Sequence, residues 1–304
     1  MFKITVCLLT FNSKRTLHDV IPPLLKIADE FVVVDSGSTD ATIYICQSYG
    51  LSAIFKKYSW HGEQMNHAVS HAHNDWVLCM DSDEILDQET VDAILKLKMG
   101  DEPEPDMAWR ICRHWFVLGE NVRTIYPVSS PDYPVRLFNR TQSRFNNRPV
   151  DDQVEGFLHS ERIPGYVRHD TFYSLHELFN KLNGYTTRLV QYQTIRPSLG
   201  RGAISAIGAF FKWYLFSGAW RQGKVGVVTG FYATAYSFLK YFKAWYQDRE
   251  KRESVAKEQS DSYLAEYALA DQAFFPQPCH CCWTYLTSVL LLMLSPITVK
   301  KRVA

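Results

Sequence analysis

Three carboxylates stand within four positions at Asp81-Ser82-Asp83-Glu84, directly after the apolar run Trp76-Val77-Leu78-Cys79-Met80. Such a run reads as a strand buried on both faces, as inside a parallel sheet. In open α/β sheets ligands bind in the crevice beyond the carboxyl ends of the strands, and these acids are expected there. Like charges this close repel unless a cation or a helix N-terminus balances them. The residues alone leave two readings: a divalent-cation site, and an acidic first helical turn after a core strand.

Two more polar clusters close apolar runs upstream. Ile4 to Leu9 is a first strand, ending in Thr10-Phe11-Asn12-Ser13, and Ser13 suits a helix cap. Phe31 to Val34 is a second, followed by Asp35-Ser36-Gly37-Ser38-Thr39-Asp40, where Gly37 permits a tight turn. Ala53-Ile54-Phe55 is a third. Leu17, Ile21, Leu24 and Leu25 share a helical face, with a break expected at Pro22-Pro23, since a mid-helix proline costs about 3 kcal/mol. Helices are expected from about Asp40 to Tyr49 and from Glu63 to His73, the latter presenting Met65, Val69 and Ala72. The alternation predicts repeated βαβ units and a mostly parallel central sheet.

With 304 residues, 46% apolar and 21% charged, the chain is globular and large enough for one big core or two linked units. A net charge of +1 points to no polyanion partner. It hides an asymmetry: Arg196 to Arg252 holds ten Lys or Arg against Asp248 and Glu250, a local +8. The seven Cys form no disulfide spacing, which fits a reducing compartment, and no signal peptide is evident after Met1.

Taken in order, Leu9-Thr10-Phe11-Asn12, Val34-Asp35-Ser36-Gly37-Ser38-Thr39-Asp40 and Met80-Asp81-Ser82-Asp83-Glu84 resemble the nucleotide-sugar-binding half of family-2 glycosyltransferases. The resemblance implies an α/β GT-A fold with a Rossmann-like donor-binding domain. It implies a nucleotide-sugar donor near Thr10, Asn12, Asp35, Asn66 and Asp81, and a divalent metal, Mg2+ or Mn2+, held chiefly by Asp83. The chemistry agrees: a hard cation on oxygen ligands stabilises a departing diphosphate, and a carboxylate must take the acceptor hydroxyl's proton. One departure is Met65, where the family often has a basic residue before the Asn matching Asn66.

Downstream, Pro134-Val135-Arg136-Leu137-Phe138-Asn139-Arg140 and Val150-Asp151-Asp152-Gln153-Val154-Glu155-Gly156 resemble bacterial lipopolysaccharide inner-core transferases, in which an Arg-Leu-Phe strand precedes a Val-His-Glu element. Here the His and Glu positions are Asp151 and Asp152. Asp152 is the first candidate for the base, Asp151 the second and Glu155 the third. The same group is resembled by His169 to Tyr173 and the following helix, with Leu175, Leu178, Phe179 and Leu182 on its core face. By analogy with other GT-A enzymes His169 is a possible metal ligand; a hydrogen-bonded structural histidine is the plainer expectation. Arg110, Arg113 and His114, around an expected strand Ala108 to Ile111, are candidates for an acceptor phosphate or for simple solvation. His67, His71 and His73, and the cluster Cys279-His280-Cys281-Cys282, lack partners that complete a zinc set.

Fourteen aromatics lie between Phe210 and Tyr246, interleaved with Lys212, Arg221, Lys224, Lys240 and Lys243 and interrupted by Gly218 and Gly223. Rings with basic side chains suit an anionic membrane surface or a helical unit packed on the core; no nucleic-acid motif occurs. No Asp, Glu, Lys or Arg occurs between Asp271 and Lys300, so a membrane-dipping or tail-anchoring segment is expected around 279–298. The expected organisation is a catalytic domain over 1–195 (donor half 1–100, acceptor half 101–195), a basic aromatic helical region over 196–270 that associates with membrane, and an apolar tail over 271–304. The expected activity is inverting, metal-dependent transfer of a hexose from UDP-glucose or a similar donor to a lipopolysaccharide-core acceptor, at the cytoplasmic face of a bacterial inner membrane. The alternatives are a polyprenyl-phosphate sugar transferase and a non-catalytic sugar-binding protein of the same fold.

Overall fold

The chain begins with β1 (Ile4–Thr10), in which Ile4, Val6, Cys7 and Leu8 are fully buried. The structure, a computed structural model, describes residues 2–146, 148, 149 and 152–274. Helix α1 (Leu17–Ile27) buries Leu17, Val20, Ile21, Leu24 and Ile27, and it runs unbroken through Pro22 and Pro23. The expected break does not form. The two prolines come one turn into the helix and free only the carbonyls of His18 and Asp19, both exposed residues open to water.

Then follow β2 (Glu30–Asp35), α2 (Thr42–Ser48), β3 (Ala53–Phe55), α3 (His61–Ser70) and β4 (Trp76–Asp81). After β4 the chain turns through Ser82 and Asp83 into β5 (Glu84–Leu86), and α4 (Gln88–Met99) starts only beyond Asp87, whose carboxylate caps the Thr90 amide at 2.8 Å. The acidic cluster is therefore a strand-end turn and not the first turn of a helix.

The second half comprises β6 (Met107–Val117), β7 (Glu120–Asn121), β8 (Thr124–Ile125), β9 (Val128–Ser129), β10 (Val135–Asn139), β11 (Arg144–Phe145), β12 (Val154–Glu155) and β13 (His159–Phe172). Helices α5 (Leu175–Tyr192) and α6 (Leu199–Phe210) lead through a π-helical stretch (Phe211–Phe216) and a 3-10 turn (Ala219–Gln222) into α7 (Gly223–Phe274). Gly218 and Gly223, at φ +76° and +57°, make the two breaks expected there. On α5 the core face is Leu178, Leu182, Thr186 and Leu189, while Leu175 and Phe179, expected on it, are exposed.

The main sheet runs β3-β2-β1-β4-β10-β6-β13-β5, with β7 on β6. Its first four strands are parallel, as expected. Beyond them the sheet is mixed: β10 is antiparallel to both β4 and β6, β13 parallel to β6, and β5 antiparallel to β13. The chain moves outward from β1 to β3 and returns to β4 on the other side, which makes the β1/β4 boundary a topological switch point with a crevice at its carboxyl end. Register places Thr10 beside Asp35 and Leu9 beside Asp81.

Alternation along β1 feeds a core on each face of the sheet. Ile4, Val6 and Leu8 join Leu17, Ile21, Leu24 and Ile94 in one, and Cys7 joins Val34, Met65, Val77 and Phe138 in the other. Met65 is fully buried, so position 65 belongs to the core and not to the crevice. A third cluster packs Val117, Phe172, Leu178, Tyr232 and Tyr236 together, so part of the aromatic region lies against the second half of the sheet. These elements, through Tyr246, form one compact unit; the chain from Gln247 forms another, of which the described part is the remainder of α7.

Candidate active site

At the end of β1, Thr10 Oγ1 donates to Asp35 Oδ2 at 2.8 Å, both residues being almost fully buried. The Asp35 carboxylate also accepts the amides of Gly37 (2.8 Å) and Ser38 (2.7 Å) and the Ser38 hydroxyl (2.5 Å). Gly37 has φ +98°, which a residue with a Cβ would strain to adopt. Asn12, at φ +49°, receives the Thr39 amide on Oδ1 (2.9 Å) and donates its own amide to Ser38 Oγ (2.8 Å). The loops after β1 and β2 are thus one hydrogen-bonded unit. Ser13 ties that unit to the acidic turn through Ser82 Oγ at 2.6 Å, and Thr16 donates to the Ser82 carbonyl at 2.5 Å.

Each acid of the turn has its own cations. Asp81 Oδ1 meets His61 Nε2 at 2.8 Å and its Oδ2 accepts from Arg136 Nη2 at 3.1 Å. Glu84, fully buried, accepts from Arg113 Nη1 at 2.9 Å and from Arg136 Nη2. Asp83 Oδ1 lies 3.2 Å from His169 Nε2, and its Oδ2 lies 3.9 Å from Lys181 Nζ. Arg113 also grips Asp132 through two bonds of 2.9 and 2.6 Å, so it is committed to the interior and is no acceptor contact. Arg110 is likewise engaged, on the Tyr133 carbonyl at 3.0 Å.

Burial pushes the Asp81 carboxyl up, but His61 and Arg136 outweigh it and hold the group well below the usual carboxylate range. Asp83 is held below that range against the same burial cost by His169 and Lys181. Burial alone favours neutral imidazole at His61; Asp81 and Asp152 reverse this and raise it well above its ordinary value. The two carboxylates therefore favour the charged form of the His61 ring between them.

Its second partner is the first-choice base candidate: His61 Nδ1 lies 2.8 Å from Asp152 Oδ2. Gly62 allows this approach, since a Cβ there would stand 2.7 Å from the Asn146 carbonyl and 3.3 Å from Asp152 Oδ2. Asp151 lies outside the described residues, as does everything from residue 275 onward, the Cys279 cluster included. Glu155 accepts from Asn146 Nδ2 at 2.8 Å on the exposed side of the β11–β12 ribbon, an ordinary surface contact. Asn66 is spent on structure: its amide donates to the Phe145 carbonyl (2.9 Å) and accepts the Phe145 amide (3.0 Å), acting as a strand partner for β11.

No group of three or more His, Cys, Asp or Glu among the described residues is arranged to hold a metal alone. Asp83 Oδ1 and His169 Nε2 nevertheless converge, and one or two protein ligands completed by substrate phosphates and water is an ordinary arrangement for such cations. His169 is stacked on Trp115 at 4.3 Å between ring centroids, which fixes its plane. Its Nδ1 is buried without a hydrogen-bond partner among the described residues, so the ring is not explained as a satisfied structural histidine. Missed from the sequence were His61, Arg136 and Lys181, and Arg113 in its role as a buried counter-ion.

A parallel donor half closed by an antiparallel β10, with an Asp-x-Asp turn at the switch point, defines a GT-A glycosyltransferase fold. Residues 5–146 match the family described as Glycosyl transferase family 2. The matched stretch, just under half of the chain, is similar to a family-2 glycosyltransferase domain. An uncharacterised glycosyltransferase of Rickettsia typhi is 27% identical over 197 residues, which are 62% of this chain and 66% of the relative, so the match spans slightly under two thirds of that relative's length. A Rhizobium meliloti protein named lipopolysaccharide core biosynthesis glycosyltransferase LpsC is 27% identical over 256 residues, covering 79% of this chain and 90% of its own. Among solved structures, glucosyl-3-phosphoglycerate synthase of Mycobacterium tuberculosis, in complex with Mn2+, UDP-glucose and phosphoglyceric acid, covers 38% of this chain and 44% of its own at 22% identity and a TM-score of 0.30.

Proposed function

We propose that the protein transfers a hexose, with inversion, from a nucleotide-diphosphate sugar such as UDP-glucose to a lipopolysaccharide-core acceptor. The observation that carries this reading is the placement around one turn of two different tools: Asp83 with His169, fit for a cation, and Asp152, fit to take a proton.

In this reading the nucleoside rests against the Thr10–Asp35–Ser38 unit. Asp35 is already four times hydrogen-bonded, so its part is to hold the loop's backbone in shape. Asp83 and His169 would hold the divalent cation, which when bound would offset the charge building on the departing diphosphate. A mixed oxygen and nitrogen pair suits Mn2+ better than Mg2+, which favours all-oxygen sets. Lys181 adds positive charge on the same side. Asp152, with Oδ2 held by His61, offers Oδ1 to the acceptor hydroxyl. The hydroxyl oxygen bonds the anomeric carbon as its proton passes to Asp152 and the bond to the diphosphate oxygen breaks on the opposite face.

The acceptor class is supported by the relative named for lipopolysaccharide core biosynthesis. We place the enzyme at the cytoplasmic face of a bacterial inner membrane. The support is the basic aromatic stretch: Ile204, Ile207 and Phe211 are exposed at helical spacing, Phe216 is 83% exposed, and Lys212 and Arg221 stand among them. No helix among the described residues is long and apolar enough to cross a membrane, so the contact proposed is peripheral.

The test is release of sugar from UDP-glucose by wild type and Asp83→Ala, with and without Mn2+. Turnover that needs neither the metal nor Asp83 sinks this mechanism. Mass spectrometry of lipopolysaccharide from cells with and without the gene then reads the acceptor directly, as a missing hexose.

A further inference from the structure

Beyond the catalytic crevice, a cavity of about 360 Å3 opens between the end of α5, the start of α6 and the middle of α7. We propose that it is a second binding site, for a phosphate group, and that it anchors the glycolipid end of the acceptor. The site stands on its own geometry; only the source of the phosphate rests on the acceptor reading above.

Three cations from three elements meet there: Arg196 after α5, Arg201 in the first turn of α6, and Lys240 on α7. No acid lines the cavity. None is available nearby in the chain either: from Leu178 to Gln247 the sequence has nine Lys or Arg and not one Asp or Glu. Arg196, Arg201 and Lys240 form no ion pair among the described residues. Like charges gathered without a counter-ion repel, and the start of α6 adds partial positive charge of its own.

The gathering is built into the packing. Gly202 faces α7 so closely that a Cβ there would lie 3.1 Å from Tyr241 Cβ and 3.3 Å from Phe238 Cδ2. A methyl group at position 202 would require Tyr241 or Phe238 to give way by a few tenths of an ångström, so the glycine is what lets α6 and α7 pack this closely beside Arg201 and Lys240. The back of the cavity is Leu189 and Tyr236, both buried, so a sugar-phosphate finds apolar walls behind a cationic rim. The volume falls in the ordinary range for small-ligand sites. Arginine's fork suits a phosphate in particular.

Helix α5 links this cavity to the catalytic crevice. Lys181, beside Asp83, and Leu189, in the cavity wall, are separated along α5 by about 12 Å. One acceptor molecule can therefore place a phosphate in the cavity and a free hydroxyl in the crevice.

The test compares wild type, the triple variant Arg196→Gln, Arg201→Gln, Lys240→Gln, and a control triple of exposed lysines, Lys3→Gln, Lys26→Gln, Lys96→Gln. The first probe is deacylated core oligosaccharide from cells lacking the gene, with its phosphates intact or enzymatically removed, followed by calorimetry. The second is phosphatidylcholine vesicles with and without phosphatidic acid, followed by sedimentation. The cavity variant is expected to bind the phosphorylated oligosaccharide about a hundredfold more weakly than wild type, with the control unaffected and the dephosphorylated probe weak throughout. Loss confined to phosphatidic-acid vesicles overturns the acceptor as source and assigns the cavity to a membrane headgroup. Equal binding by the two triples in both assays overturns the site. On wild type alone, inorganic phosphate should shield Arg201 from phenylglyoxal; no shielding also overturns it. Donor hydrolysis without acceptor should be unchanged in the cavity variant, so a failure of the catalytic reading shows separately, as absent hydrolysis in wild type.

Discussion

His61 Nδ1 and Asp152 Oδ2 are 2.8 Å apart although 91 positions separate them in the chain. Through the same ring Asp152 is joined to Asp81, 2.8 Å from Nε2. The group proposed to take the acceptor's proton is thus held by the turn proposed to handle the donor. Asp152→Asn should lower kcat by about 10²- to 10⁴-fold, with donor affinity measured by calorimetry unchanged. His61→Gln, which keeps one hydrogen-bonding arm, should fall between wild type and Asp152→Asn. Full transfer by Asp152→Asn removes it from the role.

Asp83 and His169 should act as one unit toward the cation. Wild type is expected to melt at a higher temperature when Mn2+ is added together with UDP, because a ligand that binds only the native state stabilises it. Asp83→Ala and His169→Ala should each lose most of that rise, and the double variant should lose little more. Additive losses would place the two residues in separate roles.

Glu84 is fully buried between Arg113 and Arg136. Glu84→Gln leaves two guanidinium groups sharing a neutral partner, at a cost of about 3–5 kcal/mol for breaking a buried pair. Urea denaturation measures it, and an unchanged midpoint would contradict the burial described.

Acid should unfold the protein through carboxylates whose folded-state pKa is depressed. Burial raises Asp132, but its two bonds from Arg113 prevail and lower it. A depressed group contributes stability that is complete above its unfolded value, about 3.9, and is lost as pH falls toward the folded one. Stability should therefore drop below about pH 4, and Asp132→Asn should be less stable at neutral pH with a shallower acid decline. A parallel decline in both proteins would contradict this.

The donor half was readable because its signals are local. A buried strand that ends in polar residues needs only neighbours in sequence to be recognised, and Thr10, Asp35 and Asp81 fell where those runs placed them. What could not be read is what the acids pair with. His61 opens a helix after Trp60 and is 20 positions from Asp81; Arg136 is 52 positions from Glu84. Nothing in their local pattern separates a counter-ion from a solvated cation. Asn66 is a related case: an asparagine on a helix looks alike in sequence whether it meets a ligand or, as here, the Phe145 backbone. The continuous α1 shows burial overriding a proline penalty where the freed carbonyls reach water.

The counter-ions of the acidic turn carry a consequence for how the protein is made. Arg113, Arg136, His169 and Lys181 all lie beyond residue 100, and β10, which brings Arg136, is hydrogen-bonded directly to β4. While the ribosome has delivered only the first hundred residues, Asp81 keeps only His61 and Asp83 and Glu84 lack the cations they meet in the full chain, and burying them uncompensated is costly. The donor half is therefore not an autonomous folding module. It waits for the second half to arrive, and a fragment cut at that border should emerge soluble only in a collapsed, unlocked state.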